Sequence, residues 1–199
     1  MKWQAKVAVI AGLLIVEFST RDAIPFPWGL LMVLVVVALI WRFYDGFLRT
    51  AVGGLVGGAV AGLLVLGPGF RLAMRAVAIM DPGHPEEFSV GGTLFIVVGV
   101  GAVLGGIDGV SANLVRRAFD IRSAVLAGSI LAVFVMVNLA FFSGEVSDEL
   151  FQLGVSAWIN IPLFSVVALG YGIATMALAD LAEGAMSRRG RTEKAKVPA

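Results

Sequence analysis

Arg71 and Arg75 stand four residues apart in an otherwise apolar run, and Glu86 and Glu87 follow across a proline-rich turn, within FRLAMRAVAIMDPGHPEEF at 70–88. Two guanidiniums on one helical face suit a phosphate or a carboxylate, because each presents a planar fork of donors to paired oxygens. The glutamates come soon enough in the chain to fold back and meet them. Three readings compete for this cluster. The arginines snorkel to lipid phosphates or pair with Glu86 and Glu87 only to pin the loop; they bind an anionic small molecule or lipid head group; or the Arg–Glu pairs exchange to open a gate for protons or ions. His84 is the single histidine, and with Asp81 and Glu86 it offers metal-ligand atoms. Pro82 and Pro85 flank it, however, and the spacing matches no familiar ligand set, so neither a metal nor another cofactor is implied.

The elements that must position these groups follow from composition. With 59% hydrophobic and 15% charged residues, and several unbroken apolar runs near twenty residues, the chain exceeds the apolar share of a soluble domain of its length. It reads as an integral membrane protein. A net charge of +1 supplies no basic field for nucleic acid. The lack of cysteine excludes disulfides, thiolate metal sites and thiol nucleophiles. A serine–lysine pair is excluded as well, because all lysines are terminal. No enzyme is expected.

A span needs roughly 20 apolar residues, at about 1.5 Å each, to cross about 30 Å of hydrocarbon. Six stretches approach that length, near 3–19, 27–44, 47–67, 89–113, 123–142 and 158–180. Lys2 and Lys6 before the apolar run Val7–Val16 also describe a signal peptide, but EFSTRDAIP then places Glu17 and Arg21 where a cleavage site wants small residues, so an uncleaved anchor is expected. With the N-terminus inside, six spans put Lys2, Lys6, Arg42, Arg49, Arg116, Arg117, Arg122, Arg188, Arg189, Arg191, Lys194 and Lys196 on the cytoplasmic side, twelve of the fifteen cationic residues. Arg21, Arg71 and Arg75 fall outside, with Glu17, Asp22, Asp81, Glu86, Glu87, Glu145, Asp148 and Glu149. That is the positive-inside pattern, with both termini cytoplasmic.

The third and fourth stretches carry glycine at four-residue spacing, Gly54, Gly58 and Gly62 in GGLVGGAVAG and Gly101, Gly105 and Gly109 in GAVLGGIDG. Small residues at i, i+4 and i+8 make a flat stripe along which another backbone can approach, and in lipid such packing replaces the hydrophobic effect. Two stripes on consecutive spans predict one close antiparallel pair. Gly53 and Gly57 form an adjoining stripe that leaves room for a second partner, in the chain or in a homo-oligomer.

The GPG string at 67–69 predicts a bend after the third span, so Arg71 and Arg75 would open a short interfacial helix on the outer side, ended by Asp81, Pro82 and Gly83. Asp108 is expected to form a solvated pair with Arg116 or Arg117, and Asn138 and Asn160 to act as packing devices. Ser147 would cap a short surface helix over 147–158. The basic segment 187–199 has no composition for packing a core and reads as a disordered cytoplasmic tail after a single transmembrane domain over 1–186. Attraction to anionic lipid is the function it could have.

Arg71-x-x-x-Arg75, a short turn and then PEEFSVGGT leading into a glycine-rich span resemble a group of uncharacterised bacterial multi-spanning inner-membrane proteins with a similar arginine pair and an EFS-x-GGT-like string, over roughly 54–110. The resemblance implies a bacterial inner-membrane location and no catalytic activity. The expectation is therefore an all-α membrane protein, a bundle of about six transmembrane helices with a short outer interfacial helix. Its role would be structural or accessory, with Arg71, Arg75, Glu86 and Glu87 organising lipid, a small anion or a protein partner. The alternative is a small transporter or channel for an anionic small molecule or ion.

Overall fold

A computed structural model describes residues 46–80, 89–142 and 157–194. Every element among them is a helix: α1 over Phe47–Met80, α2 over Val90–Ala118, α3 over Ala124–Phe142 and α4 over Ala157–Lys194. Among the described residues, Phe47–Met80, Val90–Ala118 and Ile159–Arg188 are long and apolar enough to cross a membrane, and Ala124–Val137 is a shorter apolar helix. The chain is therefore all-helical in its described part and compatible with a membrane protein. The stretches near 3–19 and 27–44, the turn with His84, Glu86 and Glu87, and most of 147–158 lie outside the described residues.

Local chemistry explains where the helices start. Ser89 sits in extended backbone before α2, and its hydroxyl accepts from the Gly92 N–H at 2.9 Å while Thr93 Oγ1 donates back to the Ser89 carbonyl at 3.0 Å. The SVGGT string is thus a helix start, which gives a physical reason for its residue types. Ser123 does the same for α3, accepting from the Leu126 N–H at 3.2 Å. Between them Asp120 takes a positive φ of 55°, the left-handed step that lets α2 turn back within a few residues.

Two expectations fail here. No bend separates a short interfacial helix from the third span, because α1 runs unbroken for 34 residues through Gly67, Pro68 and Gly69. The reason lies one turn earlier. Over Gly62–Leu66 the helix widens to a π turn, with the Gly67 N–H donating to the Gly62 carbonyl five residues back. A widened turn just before a proline is a local adjustment that lets the helix continue past Pro68. Arg71 and Arg75 are therefore on the last turns of a membrane-length helix. The segment expected to be disordered from 187 is likewise helical as far as Lys194, as a direct continuation of α4. Propagating an existing helix costs far less than nucleating one, so a polar tail can extend a helix it could not start.

The packing is organised by α1. It lies antiparallel to α2 on one side and to α4 on another, and α3 packs against α4. Phe70, Ala73 and Val77 of α1 are buried with Phe164, Ala168 and Tyr171 of α4, and the Phe70 and Phe164 rings meet edge to face at 5.4 Å. Leu64, Leu72, Phe95, Val103, Val133 and Val166 point outward. In water such a surface would aggregate; in hydrocarbon it costs nothing.

Candidate functional site

The interface of α1 with α2 is made of backbone. A β-carbon added at Gly58 would overlap the Gly105 carbonyl oxygen, one at Gly62 would overlap that of Gly101, and one at Gly54 that of Gly109. From the other side, one at Gly105 would lie 2.7 Å from the Gly58 oxygen and one at Gly101 2.6 Å from the Gly62 oxygen. The two stripes thus face each other along their length. Gly53 and Gly57, one position over, meet α4 instead: a β-carbon at Gly57 would lie 2.7 Å from the Thr175 oxygen, and one at Gly53 2.7 Å from Glu183 Cγ. Gly128 and Gly172 make a third close crossing, between α3 and α4. Such contact places helix axes close enough for short side chains to bridge them.

They do so at one end of the bundle. Arg116, nearly buried, forms a two-point pair with Asp180, Nη1 to Oδ1 at 2.8 Å and Nη2 to Oδ2 at 2.9 Å. The same guanidinium donates from Nε to the Ile121 carbonyl at 3.1 Å and from Nη2 to the Arg122 carbonyl at 3.2 Å. It therefore ties α4 to α2 and also holds the α2–α3 turn. Arg117 pairs with the buried Glu183 and lies 3.7 Å from Asp180. Both Nδ2 protons of fully buried Asn113 are used, one on Glu183 Oε1 at 2.8 Å and one on the Thr50 carbonyl of α1 at 2.9 Å. Ser187 accepts from Arg49 at 3.2 Å and donates to the Glu183 carbonyl at 2.9 Å. The result is a polar latch across α1, α2 and α4. Arg116 and Glu183 tolerate burial here because each charge is paired and hydrogen-bonded, although Asn113 Oδ1 beside them is buried without a hydrogen-bond partner.

Asp108 behaves differently. Its expected pairing with Arg116 or Arg117 is absent, because both arginines turn to α4. Nor does nearby Tyr171 supply a proton, since its hydroxyl donates to the Gly105 carbonyl at 3.0 Å. Asp108 lines a cavity of about 200 Å³ between α2 and α3, with Ser111, Ala112 and Val115 on the same face of α2 and Ile130, Leu131 and Phe134 opposite. Close beside the latch, the helices diverge and leave this wedge.

Of the residues singled out in the sequence, the structure thus brings the six glycines together. Arg71, half-buried, and Arg75, exposed, share a face near the far end of α1, beside exposed Leu72 and Ile79. Their proposed partners Glu86 and Glu87 lie outside the described residues. Asp180, Glu183, Thr50 and Asn113 were not anticipated. The sequence did contain a signal for the acids: at i and i+3 they fall on one face of an otherwise apolar helix end, and the structure brings that face to Arg116 and Arg117. Among the described residues no group of three His, Cys, Asp or Glu side chains could hold a metal ion. The chain matches no known family model, no curated protein and no solved structure.

Proposed function

We propose that the chain is a multi-pass protein of the bacterial inner membrane with six spans and both termini in the cytoplasm, and that its role is structural or accessory rather than catalytic. The observation that carries this reading is the backbone-to-backbone packing of α1 against α2 and α4, closed at one end by the latch. Helices joined in this way are in close contact along their length, which supports a scaffold over a path that opens between them. The arginines Arg49, Arg116, Arg117, Arg122 and Arg188 cluster at the latch end, which supports assigning that end to the cytoplasm. Arg71 then lies about 33 Å further along α1 than Arg49, close to the thickness of the hydrocarbon layer. Arg71 and Arg75 are accordingly assigned to the outer head groups, where guanidiniums meet lipid phosphate.

Orientation is tested with single cysteines, which the native chain lacks. Arg122→Cys replaces a side chain that is 90% exposed and should resist an impermeant thiol reagent added to intact cells, whereas Gly83→Cys should react. The opposite pattern inverts the assignment. The scaffold reading is tested in proteoliposomes, where proton and small-anion flux should equal that of protein-free vesicles. Flux that depends on the chain would replace this reading with a transporter. An anionic substrate has little support from the cavity, whose one unpaired charge is a carboxylate.

A further inference from the structure

We propose that the wedge between α2 and α3 is a binding site for a small organic cation with an apolar body, held by the Asp108 carboxylate. The charge balance of the walls leads to this. Arg116 also borders the cavity, but four of its N–H groups already meet Asp180, Ile121 and Arg122, so its charge is neutralised within the latch. What remains is one carboxylate, half-buried, with neither hydrogen bond nor ion pair among the described residues. It lies about 12 Å further along the axis of α2 than Arg116, away from the polar end. A carboxylate left so far into an apolar environment is unstable unless a proton or a cation joins it.

The rest of the wall selects among cations. An inorganic ion needs several oxygen ligands, and the cavity offers Asp108 and one Ser111 hydroxyl. An anion would place two negative charges together. Ile130, Leu131, Val115 and Phe134 instead suit an apolar body. The volume of about 200 Å³ fits a body of benzyl size.

The experiment uses the full chain in lipid nanodiscs and radiolabelled benzyltrimethylammonium, with neopentylbenzene, its neutral carbon isostere, and benzylsulfonate as competitors. Saturable binding is expected, with unlabelled cation displacing the probe and neither competitor doing so. Asp108→Asn should weaken binding at least about tenfold, the loss of one charge-assisted contact, while its melting temperature stays at or above that of the native chain. Asp108→Glu should retain binding. The proposal is overturned if Asp108→Asn binds as well as the native chain or if the neutral isostere competes as well as the cation. It is overturned too by absent saturable binding, and a lowered Asp108→Asn melting temperature in that case would identify a carboxylate paired within the chain. Binding without flux leaves the scaffold reading intact, so the two proposals fail separately.

Discussion

Gly58→Ala should destabilise the folded bundle by about 2–3 kcal/mol, while the same substitution at Gly184 should stabilise it by about 0.5 kcal/mol. The chemistry of the two changes is identical, and only the surroundings differ. At Gly58 the new methyl group overlaps the Gly105 carbonyl oxygen and comes within 2.8 Å of the Gly109 α-carbon. These are backbone atoms of a helix and cannot rotate aside, so α1 and α2 must separate. Separation there also loosens Gly54 against Gly109 and Gly62 against Gly101, which share the interface. Dispersion falls steeply over a fraction of an ångström, and in lipid no hydrophobic effect compensates. At Gly184 an added β-carbon meets nothing within 4 Å, so the smaller loss of backbone entropy on folding is the remaining effect. Unfolding in lipid nanodiscs, followed by thermal melting of both variants, measures the difference. Equal behaviour would mean that the close approach contributes no stability.

How much of this is legible in the sequence depends on whether the determining interaction is periodic. The glycine stripes are, because a four-residue spacing fixes a helix face before any partner is known. The apolar runs place span starts near 89 and 123, but the hydroxyls of Ser89 and Ser123 that accept from N–H groups of the following helices emerge only in the structure. The GPG string misleads because proline and glycine read as breakers, while the π turn that accommodates Pro68 is a property of five preceding residues with no marker of their own. Nearness in sequence assigns Asp108 to Arg116. The structure assigns Arg116 to Asp180, 64 residues away, because close helix packing brings α2 and α4 within reach of one side chain. Pairing across helices depends on axial register, and that register is set by where Gly53 and Gly57 meet Ala179 and Thr175. The latch is thus a consequence of the glycines, which the sequence displays without displaying the charges they bring together.

Arg116→Met should cost about 2–3 kcal/mol, and Arg116→Lys should recover less than half of that loss. The two-point contact with Asp180 is one part of what disappears. Asp180 is 40% exposed, so solvent screens it, and a cycle of Arg116→Met with Asp180→Asn should give a coupling of only about 1 kcal/mol. The other part is the turn. The Arg116 side chain is the donor to the Ile121 and Arg122 carbonyls, so its removal takes two hydrogen bonds from the α2–α3 connection, while the backbone bond from the Ile121 N–H to the carbonyl of residue 116, at 2.9 Å, remains. Lysine preserves the charge and can meet one carboxylate oxygen, but a single ammonium group does not reach both Asp180 and the two turn carbonyls in the geometry of the guanidinium fork. Hydrogen exchange separates the two parts. In Arg116→Lys, amides of 119–123 should exchange faster while those of α4 around Asp180 stay protected; in Arg116→Met both should lose protection. If lysine restores full stability and slow exchange in the turn, the charge alone holds this end together, and the shape of the guanidinium contributes nothing to it.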